Sequence, residues 1–362
     1  MMNYIFTSES VTEGHPDKIC DLISDTILDT ALIQDSDSRM AVEATIKDDF
    51  ILIYGEANTK ANINYEKIAK DVLQKIGYEE KYKVLVKVNK QSIEISNAVV
   101  KGDKNHIGAG DQGIMFGYAC DDTKVYMPAP IYYANLLAKR LSEIQKMYDF
   151  LGPDGKTQVS IQYNNDRVER IDTIVVSTQH SKNTCKEELE RLIRQEVIDP
   201  VMPKKLLDPK TKYYINPSGS FIVGGSFGDS GTTGRKIVCD TYGGMGRVGG
   251  GCLSSKDPSK VDRSAAYYCR YVAKNVVAHG LAKKCEIQVS YMIGHEKPVS
   301  IYVNTFGTEQ VKLEIVNEYI RNNFDFTVGN IIKELDLRKP IYSKTSCYGH
   351  FGRNEFSWER IK

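Results

Sequence analysis

The sequence predicts an α+β protein of three similar subdomains. Three stretches of the 362-residue chain repeat one order of elements: an amphipathic helix, a hairpin-like pair of strands and a second helix. Such a unit favours an antiparallel or mixed sheet that helices cover on one face. We therefore expect an N-terminal subdomain at 1–100, a central subdomain at 101–223 and a C-terminal subdomain at 224–362.

The elements of the repeat are predicted from the spacing and type of their residues. Apolar residues recur every three or four positions in the opening helices, expected at 21–33, 131–147 and 264–281. Val, Ile, Thr and Tyr are frequent in the strand pairs, expected around polar turns at 41–56, 158–178 and 286–306. The second helices have a similar periodicity and are expected at 65–76, 186–197 and 311–322. Gly77 is expected to end the first of these second helices as its C′ residue.

The overall composition predicts a globular chain without a bulk charge. The 48 basic and 47 acidic side chains give a formal net charge of +1, which offers no general attraction to nucleic acid or to a membrane surface. No segment has the run of about 18 apolar residues that a membrane helix needs, and the first residues lack the pattern of a signal peptide. We expect a cytoplasmic protein. The eight cysteines are scattered without C-x-x-C spacing, which favours reduced, structural thiols.

One glycine-rich segment predicts a site for a polyanion. Residues 224–263 hold 11 of the 28 glycines together with several Lys and Arg residues. Glycine allows the backbone to approach a ligand closely, and backbone N–H groups and cationic side chains are the donors that phosphate oxygens accept from. Phosphate is therefore the first candidate ligand of the C-terminal subdomain.

A second anion site is predicted where the first helix begins. In the sequence Gly-His-Pro-Asp-Lys at 14–18, Pro16 suits the first helical position because it has no N–H to lose there. His15 and Asp17 would then lie at the positive end of the helix, where backbone donors hold an anion and Asp17 offers a hard ligand to a divalent metal. The alternative is a plain helix cap in which Asp17 only complements the helix dipole.

The segment at 255–263 repeats this logic. Asp257 is expected to cap a helix that Pro258 opens, with Lys260 in the first turn and Asp262 just beyond it. A lysine is mildly unfavourable at the positive end of a helix, and a bound anion would reverse that preference. A solvated charged face is the alternative interpretation of this segment.

Other nucleotide and nucleophile motifs are not supported by their context. Residues 108–113 read Gly-Ala-Gly-Asp-Gln-Gly, but the following 114–119 predict a strand where a dinucleotide fingerprint needs a helix. The loop at 228–237 lacks the spacing of a Walker loop, and the chain has neither a G-x-S-x-G elbow nor an H-E-x-x-H motif. These absences favour a reaction driven by charge stabilisation and positioning.

Five motifs, in order along the chain, resemble those of the S-adenosylmethionine synthetase family, also called methionine adenosyltransferases. They are FTSESVTEGHPDK (6–18), GAGDQG (108–113), GSFGDSGTTGRK (225–236), DTYGG (240–244) and KDPSKVDRS (256–264). The likeness runs from residue 6 to about residue 358. It implies three α+β subdomains related by pseudo-threefold symmetry, in agreement with the repeat.

The resemblance also implies a reaction and its requirements. In this family ATP and L-methionine combine when the methionine sulfur attacks the ribose C5′, and the released tripolyphosphate is hydrolysed to phosphate and pyrophosphate. Two Mg²⁺ ions per site and K⁺ are implied. So is self-association into a homodimer or homotetramer with the site at the dimer interface.

Matching positions imply the site residues. The catalytic residues would be His15, Lys156, Asp229, Arg235 and Lys256. ATP would be bound by His15, Asp154, Lys156, Phe221, Asp229, Arg235, Lys236, Cys252 and Lys256. Methionine would be bound by Glu56, Gln91, Asp111, Asp229 and Lys260. The metal ligands would be Asp17 and Asp262 for magnesium and Glu43 for potassium.

Some positions depart from the family pattern. The run QSIEISN at 91–97 replaces the usual Q-S-P-D-I-x-x-G in the segment that forms a mobile gate, so gating and rate are expected to differ most. Ser220 stands where Arg or Lys is common, and Leu253 replaces a usual Phe. A non-catalytic nucleotide-binding homologue or regulatory subunit is the main alternative function, and a transferase for a related thioether is the second.

Overall fold

The computed structural model describes residues 3–90 and 107–362, which form a mixed α+β structure. The strands within these residues are β1 (Asn3–Val11), β2 (Arg39–Lys47), β3 (Phe50–Asn58), β4 (Lys83–Asn89), β5 (Gly113–Cys120), β6 (Leu151–Asn164), β7 (Arg167–His180), β8 (Lys212–Ile215), β9 (Gly231–Thr232), β10 (Lys284–Tyr291) and β11 (Ser300–Asn304). The α-helices of at least four residues are α1 (Pro16–Gln34), α2 (Tyr65–Ile76), α3 (Ala129–Gln145), α4 (Lys186–Leu192), α5 (Gly225–Gly228), α6 (Ile237–Asp240), α7 (Val261–Ala278), α8 (Leu313–Asn323) and α9 (Val328–Glu334). Helix α4 continues through a π-helical segment at Ile193–Ile198 and a short α-helical turn at Asp199–Val201, and single 3₁₀ turns lie at Lys204–Leu206 and Ser357–Glu359.

The predicted repeat of helix, hairpin and helix is confirmed in all three units. Helices α1, α3 and α7 open the units, antiparallel pairs β2/β3, β6/β7 and β10/β11 follow, and α2, α4 and α8 close them. In the first two units one further strand, β4 or β8, then joins the second hairpin strand in parallel. Each unit therefore has one mixed or antiparallel sheet with its helices.

Each sheet also contains a strand that precedes a different unit. The sheet orders are β4-β3-β2-β9, β1-β6-β7-β8 and β11-β10-β5. Strand β1, before the first unit, pairs with the second sheet; β5, before the second unit, pairs with the third; and β9, before the third unit, pairs with the first. The three units are thus interlocked in a cycle. The subdomain limits at 1–100, 101–223 and 224–362 remain predictions, because sheet pairing crosses them.

The start of α1 follows the sequence prediction. Pro16 is the first helical residue and His15 is the N-cap, whose Nδ1 accepts a hydrogen bond from the Asp17 amide at 3.2 Å. The end of α2 is also confirmed. Gly77 adopts a φ of +114° and its amide donates to the Leu73 carbonyl at 3.1 Å, which closes the helix.

The predicted start of the third opening helix is wrong. Helix α7 begins at Val261 with Lys260 as its N-cap residue, so Asp257 does not cap it and Pro258 does not open it. The carboxylate of Asp257 instead accepts hydrogen bonds from the amides of Met40 and Ser259, both at 2.8 Å. These bonds hold the segment as a turn against β2, and the helix can begin only after it.

Helices α1 and α7 lie in the interior of the molecule. Most residues of α7 are buried, including Arg263 and Arg270, and one continuous apolar core joins both helices to the first and third sheets. A second core joins α3 to β6 and β7. The eight cysteines are unpaired thiols, six of them buried. Within the described ranges, the helices are all too short or too polar to span a bilayer.

Candidate active site

Four predicted site residues meet at the N-terminus of α1. Asp17 is fully buried, and its Oδ1 accepts a hydrogen bond from the Thr232 amide at 3.0 Å. Its Oδ2 lies 2.5 Å from Nζ of Lys236, and Nε of Arg235 lies 3.4 Å from Oδ1. His15 caps the same helix. The structure therefore places two cations, a carboxylate and an imidazole around the positive end of one helix.

His15 is a neutral imidazole in this cluster. Burial, with the nearby Lys236 cation, lowers the pKa of His15 to about 3. Because Nδ1 accepts the Asp17 amide hydrogen, the single proton of the neutral ring is on Nε2. The fields of Lys156 and Asp229 also act on the pKa of His15, with opposite signs, so these two predicted residues lie around the same ring.

Strand β6 brings Asp154 and Lys156 to the α1 terminus. Lys156 of β6 is paired with Val11 of β1, and Val11 is four residues before His15 in the sequence. Gly14 packs so closely on the β6 segment that an added methyl group would meet the Pro153 carbonyl oxygen at 2.3 Å. The site is therefore built where the first unit contacts the second.

Asp154 is buried with one unsatisfied oxygen. Its Oδ2 accepts a hydrogen bond from the Gly225 amide at 2.8 Å, while Oδ1 is buried with no hydrogen-bond partner among the described residues. Burial raises the pKa of Asp154 to about 6. A buried acceptor without a donor is costly, and such an atom is typical of a position that a ligand completes.

Phe221 is held through its backbone by His180, at the end of β7. Its amide donates to Nε2 of His180 at 3.1 Å, and its carbonyl accepts from the His180 amide at 2.9 Å. The neighbouring residue on β7, Gln179, connects Asp154 to the loop that contains Phe221. Its Oε1 accepts from the Asp154 amide at 3.3 Å, and its Nε2 donates to the Ile222 carbonyl at 3.1 Å.

A second group of predicted residues lies where the third unit begins. Nζ of Lys256 lies 2.5 Å from Oδ2 of Asp262, and Nζ of Lys260 lies 2.5 Å from Oδ2 of Asp257. Lys256 and Asp262 are partly exposed at 15% and 10%. This pair can therefore meet a ligand, whereas the Asp257 carboxylate is 1% exposed and bonded to the backbone of β2.

Three further predicted residues border the second group. Glu43 and Glu56 belong to the β2/β3 hairpin, where Glu43 accepts from the Tyr54 hydroxyl at 3.2 Å and Glu56 is paired with Ala41. Ala41 also bridges to Lys256. Asp111 is exposed on the loop that Gly110 anchors. The Gly110 amide donates to the Ser259 carbonyl at 3.1 Å.

Two predicted residues remain. Cys252 lies between the two groups, because a methyl group added at Gly234 would meet its Cβ at 2.3 Å. Burial raises the pKa of the Cys252 thiol to about 11, so the neutral thiol persists at ordinary pH. Gln91, a predicted methionine contact, lies outside the described residues.

Both groups lie along one edge of β2. Thr45 pairs with Thr232 in the loop before Arg235, and Ala41 pairs with Lys256. Four residues of strand separate these two points on β2, about 13 Å at 3.3 Å per residue. The structure therefore assembles two neighbouring half-sites, one around His15 and one around Lys256.

Sequence reasoning missed the buried carboxylates that support both half-sites. Asp21 accepts from the Gly234 amide at 2.8 Å, and Asp25 accepts from the Ser255 amide at 3.0 Å. The signal was present as aspartates at positions 17, 21, 25 and 29, one every four residues along α1. That spacing puts all four on one helix face, against the apolar pattern expected for a core helix.

The fold has three interlocked α+β units, and its cationic loops have the composition expected of an enzyme that binds phosphate groups. Comparison with known proteins makes this specific. Three domain profiles match in order: S-adenosylmethionine synthetase, N-terminal domain, at residues 3–101; central domain, at 106–221; and C-terminal domain, at 223–360. The chain belongs to the S-adenosylmethionine synthetase family.

Similar proteins cover nearly the whole chain. The S-adenosylmethionine synthase of Sorangium cellulosum (strain So ce56) is 50% identical over 372 residues, with 99% of this chain and 88% of that protein covered. The S-adenosylmethionine synthase of Desulfosudis oleivorans (strain DSM 6200 / JCM 39069 / Hxd3) is 50% identical over 373 residues, covering 99% and 96%. That of Clostridium botulinum (strain Alaska E43 / Type E3) is 49% identical over 381 residues, covering 99% and 97%.

Proposed function

We propose that this protein synthesises S-adenosylmethionine from ATP and L-methionine. The methionine sulfur attacks the ribose C5′ of ATP, tripolyphosphate leaves, and the enzyme hydrolyses it to phosphate and pyrophosphate. The observation that carries the proposal is the convergence of His15, Asp17, Arg235 and Lys236 at one helix start. It occurs in a chain about half identical to S-adenosylmethionine synthases along its whole length.

The chemistry requires cations more than a base. A thioether sulfur attacks through a lone pair and has no proton to lose, so the carbon–sulfur bond can form without a general base. The departing tripolyphosphate carries several negative charges, and each cation at about 4 Å contributes roughly 4 kcal/mol at an effective dielectric near 20, before desolvation. Arg235, Lys236, Lys156 and Lys256 supply such charges, and His15 supplies a neutral donor for the leaving oxygen.

The carboxylates fit magnesium. Asp17 and Asp262 each lie 2.5 Å from a lysine ammonium, so each carboxylate is placed beside a cation. Within the described residues, no three His, Cys, Asp or Glu side chains gather as a metal-binding group. Mg²⁺ in phosphate-transferring enzymes is commonly held by one or two carboxylates with substrate phosphates as further ligands. Bound Mg²⁺ would neutralise phosphate charge, and Glu43 offers carboxylate oxygens to K⁺.

The remaining roles are assigned by position. We propose that Asp154, Phe221 and Cys252 contact the nucleotide, with the unsatisfied Oδ1 of Asp154 as acceptor. We propose that Asp229 faces both substrates. The methionine contacts would be Glu56, Gln91, Asp111 and Lys260, although Lys260 is already paired with Asp257.

We further propose that two copies of the chain complete each site. The half-sites around His15 and Lys256 contact β2 at points about 13 Å apart, and the resemblance to the family implies that a second chain contributes groups to each site. Large apolar side chains on the strands are exposed, among them Ile5 at 54%, Leu85 at 54% and Tyr302 at 53%. We propose that association as a homodimer or a homotetramer covers some of these side chains.

A product analysis tests the proposal. Purified protein is incubated with ATP, Mg²⁺, K⁺ and L-methionine, and the products are separated by ion-exchange chromatography and mass spectrometry. We expect a sulfonium product together with equimolar phosphate and pyrophosphate, formed only when methionine is present. Leaving out K⁺ or Mg²⁺ in parallel reactions tests each cation.

Two outcomes would contradict the proposal. ADP as the nucleotide product would indicate phosphoryl transfer instead of adenosyl transfer. ATP binding without turnover, over a range of methionine analogues, would indicate a nucleotide-binding homologue without catalysis. Product formed only with another thioether would keep the reaction class and change the substrate.

A further inference from the structure

We propose that Asp25 is a positioning residue that holds the loop of Lys256 in its catalytic place. This inference rests on the proposed function, in which Lys256 contacts the polyphosphate. It adds a residue that does not touch substrate and acts through the backbone of the loop. The argument starts from the four aspartates of α1.

Four aspartates of α1 accept hydrogen bonds from backbone amides of the surrounding loops, and we call this series the aspartate ladder: Asp17, Asp21, Asp25 and Asp29. Asp17 accepts from the Thr232 amide at 3.0 Å, and Asp21 accepts from the Gly234 amide at 2.8 Å. These two rungs fix the backbone just before Arg235 and Lys236. Charge-assisted bonds to backbone amides are among the stronger hydrogen bonds, so the ladder sets where these cations are held.

Asp25 is the aspartate of this ladder that contacts the loop of the second half-site, which contains Lys256. Its Oδ1 accepts from the Ser255 amide at 3.0 Å, and its two oxygens receive both terminal nitrogens of Arg263, each at 2.8 Å. The same Nη1 of Arg263 donates to the Lys256 carbonyl at 3.1 Å. Asp25 and Arg263 are at most 1% exposed. Hydrogen bonds therefore hold the backbone on both sides of the peptide bond between Ser255 and Lys256.

The backbone conformation at Ser255 depends on these hydrogen bonds. Ser255 has a φ of +78°, a left-handed conformation that costs a residue with a side chain roughly 1–2 kcal/mol. Such a conformation persists only where neighbouring contacts determine it. Asp25→Asn would keep one acceptor oxygen, but its NH₂ group would face the donating Nη2 of Arg263. We therefore expect Arg263 to shift and release the Lys256 carbonyl, and Ser255 to relax toward negative φ.

A role in stability alone does not account for these contacts. A buried ion pair gives little net stabilisation, because the desolvation of both charges offsets their attraction. The bonds to Ser255 and Lys256 lie next to a proposed catalytic cation, and the α1 ladder also holds the loop of Lys236. One rigid helix would thus fix the spacing between the two cationic loops.

Asp29 provides a matched control on the same helix. It is buried at 7% exposure and also accepts two backbone amides, those of Tyr342 at 2.9 Å and Ser343 at 2.8 Å. Its loop carries no proposed substrate contact and meets the buried pair of Asp25 and Arg263 through two hydroxyl groups: Ser346 Oγ donates to Asp25 Oδ2 at 3.1 Å, and Thr345 Oγ1 accepts from Nη2 of Arg263 at 3.0 Å. Asp25→Asn and Asp29→Asn therefore each replace a buried carboxylate of the same helix by an amide, and only Asp25 has a hydrogen bond to the backbone of the Lys256 loop.

The experiment compares the two variants with the parent protein in the full-length chain. Turnover with ATP and methionine, binding of inorganic tripolyphosphate by calorimetry and amide hydrogen exchange are measured for each. We expect Asp25→Asn to lower kcat about 10- to 100-fold, because small displacements of catalytic groups have effects of this size. We also expect weaker tripolyphosphate binding and faster exchange at 255–262. Asp29→Asn should keep kcat within about twofold and exchange faster only near 342–346.

A second variant guards against loss of folding. Asp25→Asn leaves Arg263 buried without its counter-charge, which could unfold the chain. The double variant Asp25→Asn with Arg263→Gln replaces the ion pair by two neutral amides. We expect it to fold, with the same faster exchange at 255–262 and the same loss of kcat.

The outcomes separate this inference from the proposed function. Equal losses of kcat in Asp25→Asn and Asp29→Asn, or unchanged exchange at 255–262 in a folded Asp25 variant, would overturn the positioning role. A parent protein that makes no sulfonium product would contradict the proposed function instead. The exchange and tripolyphosphate measurements would still test whether Asp25 places Lys256.

Discussion

Lys236 and Asp17 form an ion pair across 219 residues of sequence, with Nζ 2.5 Å from Oδ2. The pair joins the glycine-rich loop of the third unit to the start of α1. Lys236 also contributes to the low pKa of His15, since its positive charge opposes protonation of the ring. One lysine therefore influences both the carboxylate and the imidazole of the first half-site.

Replacement of this lysine should weaken nucleotide binding and raise the pKa of His15. Lys236→Met keeps the length of the side chain and removes its charge. A hydrogen bond to a charged group contributes about 1.5–3 kcal/mol, so we expect the KM for ATP to rise roughly 10- to 100-fold. His15 titration by NMR should shift upward from about 3. Lys339→Met, at an exposed lysine far from the loop in sequence, is the control, and an unchanged KM in Lys236→Met would exclude a nucleotide contact.

Neighbouring glycines in one loop should respond differently to alanine. A methyl group at Gly251 would lie 2.5 Å from Nζ of Lys256 and 2.6 Å from Oδ2 of Asp262, so the flexible ends of these two side chains must move. At Gly250 a methyl group meets nothing within 4 Å. We expect Gly251→Ala to lower kcat at least tenfold with little change in Tm, and Gly250→Ala to match the parent in both. Equal activity of the two variants would place the Lys256–Asp262 pair outside the reaction.

Removal of the Asp154 charge should stabilise the folded protein at neutral pH. Burial raises the pKa of Asp154 from 3.8 to about 6. Between these values the folded state binds more protons than the unfolded state, so the free energy of unfolding falls as pH rises, by up to roughly 3 kcal/mol. Asp154→Asn removes this loss. Its Tm should exceed that of the parent increasingly from pH 5 to pH 7, while nucleotide binding weakens. A Tm difference that does not change with pH would contradict the raised pKa.

The local elements could be predicted from the sequence because their signals are local. Pro16 and His15 lie next to one another, and helix geometry alone makes one the first helical residue and the other the cap. The strand pairs carry their own turns, so β2/β3 and β6/β7 follow from alternation and turn residues. Of the site, the motifs alone predict two separate anion sites, at 14–18 and 224–263, and only the resemblance implies that Asp17, Arg235 and Lys236 share one site.

The long-range partners could not be predicted. Nothing local in Asn3–Val11 indicates that β1 joins β6, about 150 residues away, because any exposed strand edge offers the same backbone groups. The prediction that a helix starts at 257–258 was wrong for the same reason. The Asp257 carboxylate accepts a hydrogen bond from the Met40 amide on β2 and does not cap the helix that follows it. The buried pair of Asp25 and Arg263 is a further example, because charged residues in a sequence usually predict exposure.

Replacement of Ser255 by glycine should stabilise the protein and separate strain from function. Ser255 pays a steric cost at φ +78°, and its hydroxyl oxygen is buried without a hydrogen-bond partner in the described chain. Glycine removes both costs but adds roughly 0.5–1 kcal/mol of backbone entropy to folding. With about 1–2 kcal/mol of relieved strain, we expect a net gain of about 1 kcal/mol, measured as a higher urea midpoint at an unchanged m-value. Because the Asp25 bond uses only the amide of residue 255, turnover should stay within about twofold. A less stable Ser255→Gly protein would show that the left-handed backbone at this position is not under strain.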